Sequence, residues 1–306
     1  MDVSCARGDW SAVTSAVPNA TLAGVLAGFL LNGIVVFLIR GTETFEQVRA
    51  LSFMFAAFVA LALDSYLFGL VTGDRTCQRA WTEAMLAAGL LGIGAVAIIA
   101  GFGLMVAAYI DTDKIRRGSK SMLERLFRFL RIGVAIVVMA ALFVTSWNYP
   151  DAVFGDNVPS YARLLLRVCI GLGIVVLVAI ILMIATSESE DRSLKHFQKF
   201  TGWLRRLFEQ KPRTEADEGE AGEMLRQFGP AIYSTLGYTV VTVVLACLVA
   251  GSTQGHWHEP DTLGKIAFVV IIFWVLPIFL VPLACLLVGS VPAFKAEEDR
   301  YDVQVP

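Results

Sequence analysis

Long apolar blocks, interrupted by short polar segments, run along most of this chain of 306 residues. Seven of the blocks are long enough to cross about 30 Å of hydrocarbon as a helix, which takes roughly 17–25 residues. They cover residues 18–39, 50–71, 84–110, 131–147, 161–185, 230–251 and 266–290. Alternating strands of about ten residues, which a membrane β-barrel would need, do not occur in the sequence. The pattern predicts an all-α polytopic membrane protein with seven transmembrane helices, folded as a single transmembrane domain over 1–306.

The polar segments between the blocks differ in their content of Lys and Arg. Segments 111–131 and 191–213 are rich in both residues, whereas segment 148–161 contains neither. Loops rich in Lys and Arg lie on the cytoplasmic side of a membrane. The distribution therefore predicts an external N-terminus, a cytoplasmic C-terminus and a location in the plasma membrane, which in a bacterium is the cytoplasmic membrane.

The cytoplasmic loop 186–229 has two parts with different character. Segment 194–210 places aromatic and aliphatic residues on one helical face and basic residues on the other, which favours an interfacial helix on anionic inner-leaflet lipid. Segment 121–131 resembles it, and segment 212–223 is an acidic linker. Basic charge that only sets the topology, without lipid specificity, accounts for both amphipathic stretches equally well.

Composition narrows the classes of function. Hydrophobic residues make up 56% of the chain and charged residues 17%, below the roughly one quarter that is usual in soluble domains. No phosphate-binding loop, zinc-protease helix or serine-hydrolase elbow occurs, so we predict no cofactor and no nucleic-acid partner. The same absence argues against an enzyme but leaves a membrane-embedded enzyme open as a third class. His256 and His258 form the only close histidine pair and are weak candidates for an external metal site.

Two of the five cysteines, Cys5 and Cys77, fall outside the predicted spans. The predicted topology places both on the outer side, which is usually oxidising. We therefore predict a disulfide between Cys5 and Cys77. Two free thiols that never meet are the alternative.

A single carboxylate, Asp64, interrupts the apolar run of the second predicted span. Helical rise places Asp64 roughly 10 Å below the outer surface, and Arg167 in the fifth span reaches a similar depth. Opposite charges at one depth can pair and satisfy each other's hydrogen bonds. Together with Glu83 and Arg163, these residues are predicted to form an outward-facing polar cluster. The cluster is either an ion or solute site or a purely structural clasp between helices.

Asn32, Tyr238 and Thr242 add polar groups inside the spans and are candidates to line an aqueous path. The leading hypothesis is therefore a channel or transporter-like path for an ion or small solute. The alternative is a non-transporting membrane subunit or receptor-like scaffold that docks partner proteins. Both hypotheses allow a homo-oligomer or a larger membrane complex.

Overall fold

The computed structural model of the chain describes residues 6–7, 10–40, 45–74, 77–110 and 220–251, together with isolated helical positions between 126 and 168 and at 283. This part of the chain is almost entirely helical. Its long helices are α1 (Ala12–Arg40), α2 (Phe45–Gly73), α3 (Cys77–Ile110) and α4 (Glu220–Gly251). A two-stranded antiparallel ribbon of β1 (Ala6–Arg7) and β2 (Trp10–Ser11) precedes α1.

Helices α1, α2 and α3 each contain a segment long and apolar enough to cross a membrane: Ala12–Ile39, Gln47–Gly73 and Arg79–Val106. They correspond to the first three predicted spans, so the prediction of apolar, membrane-compatible helices is confirmed for these three. Helix α4 corresponds to the sixth predicted span and carries a shorter apolar segment, Ile232–Leu248.

The remaining predicted spans, 131–147, 161–185 and 266–290, lie outside the described residues apart from isolated helical positions. The interfacial helix at 194–210 also lies outside them. The total of seven spans, the interfacial helices and the membrane orientation therefore stay predictions.

The helices begin earlier than the apolar blocks do. Helix α1 starts at Ala12 because the Ser11 hydroxyl accepts a hydrogen bond from the Thr14 backbone N–H at 3.3 Å, which is a helix N-cap. Helix α4 starts at Glu220, within the predicted loop 186–229. Polar residues can begin a helix before its membrane segment, so hydropathy finds the span and not the helix ends.

Helix α2 packs against α1, α3 and α4. Glycines allow the close approach to its neighbours. A Cβ atom added to Gly94 of α3 would lie 2.8 Å from Leu61 Cδ2, and one added to Gly33 of α1 would lie 2.9 Å from Met54 Cε. At Gly94 a side chain would displace the branched end of Leu61, whereas at Gly33 only the flexible end of Met54 would have to move. Van der Waals contact of this kind is a main source of helix association in lipid.

We expect Gly101→Ala to destabilise the packing of α2 against α3. Its new Cβ would lie 3.0 Å from Met54 Cγ and 3.4 Å from both the Ala50 carbonyl oxygen and the Met54 backbone nitrogen. The Met54 side chain must shift to admit the new methyl group while the backbone beside it leaves little space, so we expect a cost of about 1–3 kcal/mol. Thermal unfolding in detergent measures it as a lower Tm.

Gly69→Ala is the matched control for this experiment. Gly69 is exposed on α2, and an added Cβ there meets nothing within 4 Å. The control should keep the Tm of the parent protein. Equal Tm values for the two variants would contradict the proposed close contact at Gly101.

Candidate functional site

Asp64 is completely buried in α2. Neither of its carboxylate oxygens has a hydrogen-bond partner among the residues that the structure describes. The next residue, Ser65, faces α1 instead, where its hydroxyl donates a hydrogen bond to the Ala20 carbonyl at 2.9 Å. A buried carboxylate without a compensating group is costly, because it has given up its hydration.

The buried face of α4 is lined with hydroxyl groups. It consists of Thr235, Tyr238, Thr239 and Thr242, all of which are at most 3% exposed. The apolar side chains of Val240, Val244 and Leu248 occupy the exposed face of the same helix. This arrangement, polar inside and apolar outside, suits a helix surrounded by lipid.

Tyr238 lies within electrostatic range of the Asp64 carboxylate, and Thr242 follows it one turn along α4. The Thr239 hydroxyl donates a hydrogen bond to the Thr235 carbonyl at 2.8 Å. We call the set of Asp64, Thr235, Tyr238, Thr239 and Thr242 the polar seam.

A second charged cluster lies at the turn between α2 and α3. Arg79 Nε is 2.6 Å from Asp74 Oδ2 and 3.7 Å from Glu83 Oε1. Both carboxylates are buried, and the single guanidinium of Arg79 forms an ion pair with each of them. We call Asp74, Arg79 and Glu83 the turn cluster. It carries one net negative charge when all three groups are ionised.

The packing register separates the turn cluster from the polar seam. Gly94 lies against Leu61 and Gly101 lies against Met54, so Asp64 is level with Leu91 on α3. Glu83 is eight residues nearer the turn than Leu91, which at the helical rise corresponds to roughly 12 Å. The structure therefore does not bring Asp64 and Glu83 together, although both were predicted in one cluster.

The other predicted site residues fall into three groups. Tyr238 and Thr242 lie in the polar seam, within the environment of Asp64. Asn32 lies on the exposed side of α1, away from the seam. Arg163 and Arg167 lie outside the described residues, so the proposed pairing of Asp64 with Arg167 stays a prediction.

Cys77 is the first residue of α3. Cys5 is among the residues that are not described, so its pairing with Cys77 stays a prediction. His256 and His258 also lie outside them. In the described part of the chain, no group of three His, Cys, Asp or Glu side chains is arranged to hold a metal ion.

Sequence reasoning missed Asp74 and Arg79. A signal for them was present, since Arg79 and Glu83 are four residues apart and therefore face each other on a helix. Hydropathy starts the third span at residue 84, so it does not assign Arg79 and Glu83 to one helix. A hydrogen bond of 2.9 Å joins the hydroxyls of Thr82 and Tyr149. No sequence pattern predicts this contact, because the two residues are 67 positions apart.

Comparison with known proteins finds no matching family model, no matching curated protein and no matching solved structure. The class of the protein therefore comes from its own residues. Three long apolar helices and a hydroxyl-lined helix face buried against them are features of a helical membrane protein.

We expect Arg79→Gln to destabilise the protein, because it leaves the buried carboxylates of Asp74 and Glu83 without their shared cation. Removing one partner of a buried ion pair typically costs about 3–5 kcal/mol. Thermal unfolding in detergent should show a lower Tm. Adding Asp74→Asn and Glu83→Gln to the same chain should restore part of the loss, and a triple variant no more stable than Arg79→Gln would contradict the stabilising role of the ion pairs.

Proposed function

We propose that the protein provides a path for a small cation across the plasma membrane and that Asp64 binds the cation within the polar seam. The observation that carries this proposal is the complete burial of the Asp64 carboxylate without a hydrogen-bond partner among the described residues. Ionisable residues inside membrane helices usually mark a substrate or ion pathway, because their cost must be offset by a function.

The chemistry of the polar seam suits a cation. The groups of the seam that can coordinate a cation are the carboxylate of Asp64 and the hydroxyls of Tyr238 and Thr242, and all of them coordinate through oxygen. Hard cations prefer oxygen ligands, and a single carboxylate is neutralised by a single positive charge. The polar seam would therefore bind a proton, Na⁺ or K⁺.

A non-transporting membrane subunit is the second candidate function. The outer face of α1 favours it, since large apolar side chains such as Phe29 and Ile39 are 70% and 79% exposed there. An apolar face of this kind contacts either lipid or the helix of a partner. Under this hypothesis Asp64 is a structural group that pairs with Arg167, and the purified protein transports nothing.

We expect Asp64→Asn to lower cation flux at least tenfold, because the amide keeps the shape of the side chain but removes its charge. The purified chain is reconstituted in liposomes, and the uptake of H⁺, Na⁺ and K⁺ is followed separately under an imposed gradient. Loss of flux for one of these ions, with an unchanged Tm, identifies the cation that Asp64 binds.

Ser65→Ala is the matched control for the flux experiment. It removes the hydrogen bond between α2 and α1 next to Asp64 without touching the polar seam. The control should lose a little stability, about 1 kcal/mol, and retain its flux. If the parent protein transports none of the three ions, or if Asp64→Asn transports them equally well, the cation path is wrong.

We also propose that Cys5 and Cys77 form a disulfide. Reduction followed by alkylation should add two labels to the parent protein relative to the unreduced sample. Cys5→Ser should remove this difference, as should Cys77→Ser. Mass spectrometry of the labelled chains measures it, with the free and exposed Cys247 as an internal control that is labelled in all samples. A reduction-dependent gain of two labels in Cys5→Ser would contradict the pairing.

A further inference from the structure

The surroundings of Asp64 offer few oxygen atoms to a cation. On α3, where the packing register places Leu91 at the level of Asp64, the neighbouring residues are apolar. On the side of α1, the Ser65 hydroxyl already donates a hydrogen bond to the Ala20 carbonyl. The polar seam therefore offers a cation the carboxylate of Asp64 and, from α4, the hydroxyls of Tyr238 and Thr242.

Na⁺ and K⁺ need more oxygen atoms than these three side chains provide. Mg²⁺ and Ca²⁺ in proteins take about six to eight oxygen ligands, and K⁺ in a channel filter exchanges its hydration shell for carbonyl oxygens. Asp64 offers two oxygen atoms, and Tyr238 and Thr242 offer one each. The backbone carbonyls inside these helices are engaged in helical hydrogen bonds. A proton needs a single oxygen atom, so the carboxyl group of Asp64 can bind it alone.

The predicted spans that lie outside the described residues, 131–147, 161–185 and 266–290, add little to this supply of oxygen. Their sequences contain no Asp, Glu, Asn or Gln. Hydroxyl-bearing residues occur in them only near the span ends, namely Thr145, Ser146, Tyr161 and Ser290. These spans therefore do not provide the side chains that would complete an oxygen shell around a metal ion at the depth of Asp64.

The described helices place no Lys or Arg at the depth of Asp64. Their basic residues all lie near helix ends: Arg40, Arg49, Arg79 and Arg226. Arg49, on the same helix, is fifteen residues from Asp64, which is roughly 22 Å along the axis. A buried carboxyl group without a cation beside it takes up a proton and becomes neutral, because the charged form has lost its hydration.

The ionisable groups on the helices packed against α2 are few. The segment Ala12–Ile39 of α1 contains none. On α3 the nearest is Glu83, roughly 12 Å closer to the turn, and it is paired with Arg79. On α4 it is Tyr238, whose phenol is neutral at ordinary pH. The described neighbours of Asp64 therefore leave a proton as the simplest way to neutralise it.

We propose that the ion bound at Asp64 is a proton, so that the buried side chain is a neutral carboxylic acid and the path carries H⁺ instead of Na⁺ or K⁺. This inference rests on the proposed cation path and names its ion. A neutral carboxyl group is a donor and an acceptor at once, so it can exchange hydrogen bonds with hydroxyls of the polar seam.

Labelling with dicyclohexylcarbodiimide tests the protonation of Asp64 and does not require transport. This apolar reagent enters from the lipid and reacts with protonated carboxyl groups. The carboxyl O–H adds across one C=N bond, so that its oxygen bonds to the central carbon and its proton moves to nitrogen. The acyl group then shifts from this oxygen to the second nitrogen, which gives a stable N-acylurea without a leaving group. Peptide mass spectrometry identifies the labelled residue by a gain of the whole mass of the reagent.

The full-length protein in liposomes should be labelled at Asp64 at neutral pH, and labelling should decrease as the pH is raised. A large excess of Na⁺ or K⁺, compared with choline at equal ionic strength, should not slow the reaction. Asp64→Asn should lose the label, whereas Asp64→Glu should retain a label at this position. Glu83→Gln is the matched control, since it removes another buried carboxyl group and should leave the labelling of Asp64 unchanged.

Infrared difference spectra between the parent protein and Asp64→Asn provide a second measurement that needs no reagent. A protonated carboxyl group has a C=O stretching band apart from the amide bands, and this band shifts in D₂O. The parent protein should show the band and Asp64→Asn should lack it. Absence of both the band and the label would show an ionised carboxylate, paired with a cation such as Arg167, and would overturn the proposal.

Protection of Asp64 from the reagent by Na⁺ or K⁺ would also overturn the proposal, because it would show that a metal ion occupies the polar seam. That result would leave the cation path intact. Labelling of Asp64 without such protection, in a protein that transports none of the three ions, would support the proton site and contradict the path alone.

Discussion

Hydrocarbon offers no hydrogen bonds, so a polar side chain among these helices must find its hydrogen-bond partners within the protein. The need is greatest for Asp64, because its side chain can carry a charge. The hydroxyls of Tyr238 and Thr242 lie on the face of α4 that is buried, while apolar side chains such as Val240 and Val244 point outward. Ser65, beside Asp64, bonds a carbonyl of α1 instead. The placement of α1 and α4 around α2 therefore follows the polar groups as much as the apolar ones.

Close contact at glycine fixes this arrangement. Between lipid-surrounded helices, apolar burial gives little net gain, and tight van der Waals contact takes its place. Gly94 and Gly101 let α3 approach α2, and Gly33 lets α1 approach it from another direction. With α2 held by its neighbours, Asp64 keeps a defined depth and faces a defined helix. A charged group that must bind and release a ligand benefits from such a rigid surrounding.

The first three predicted spans could be located from hydropathy, because an apolar block of this length rarely occurs in a protein except where a helix crosses a membrane. At the sixth predicted span the structure has a helix with a shorter apolar segment. The residues at which helices start could not be located, since hydropathy does not register local hydrogen bonds such as the one that Ser11 accepts. The neighbours of Asp64 were not readable, because contacts with α4 join residues more than 150 positions apart, and the direction in which a helix turns a side chain depends on packing.

Asp64 and Asn32 look alike in the sequence, since each is a polar residue inside an apolar span. In the structure they differ, because Asp64 is buried and Asn32 is exposed. Asp64 is enclosed, so whatever compensates its charge must lie within the protein or pass through it. Asn32 lies on the exposed face of α1, so the described part of the chain does not enclose its amide. Position within an apolar block therefore does not by itself distinguish an enclosed polar group from an exposed one.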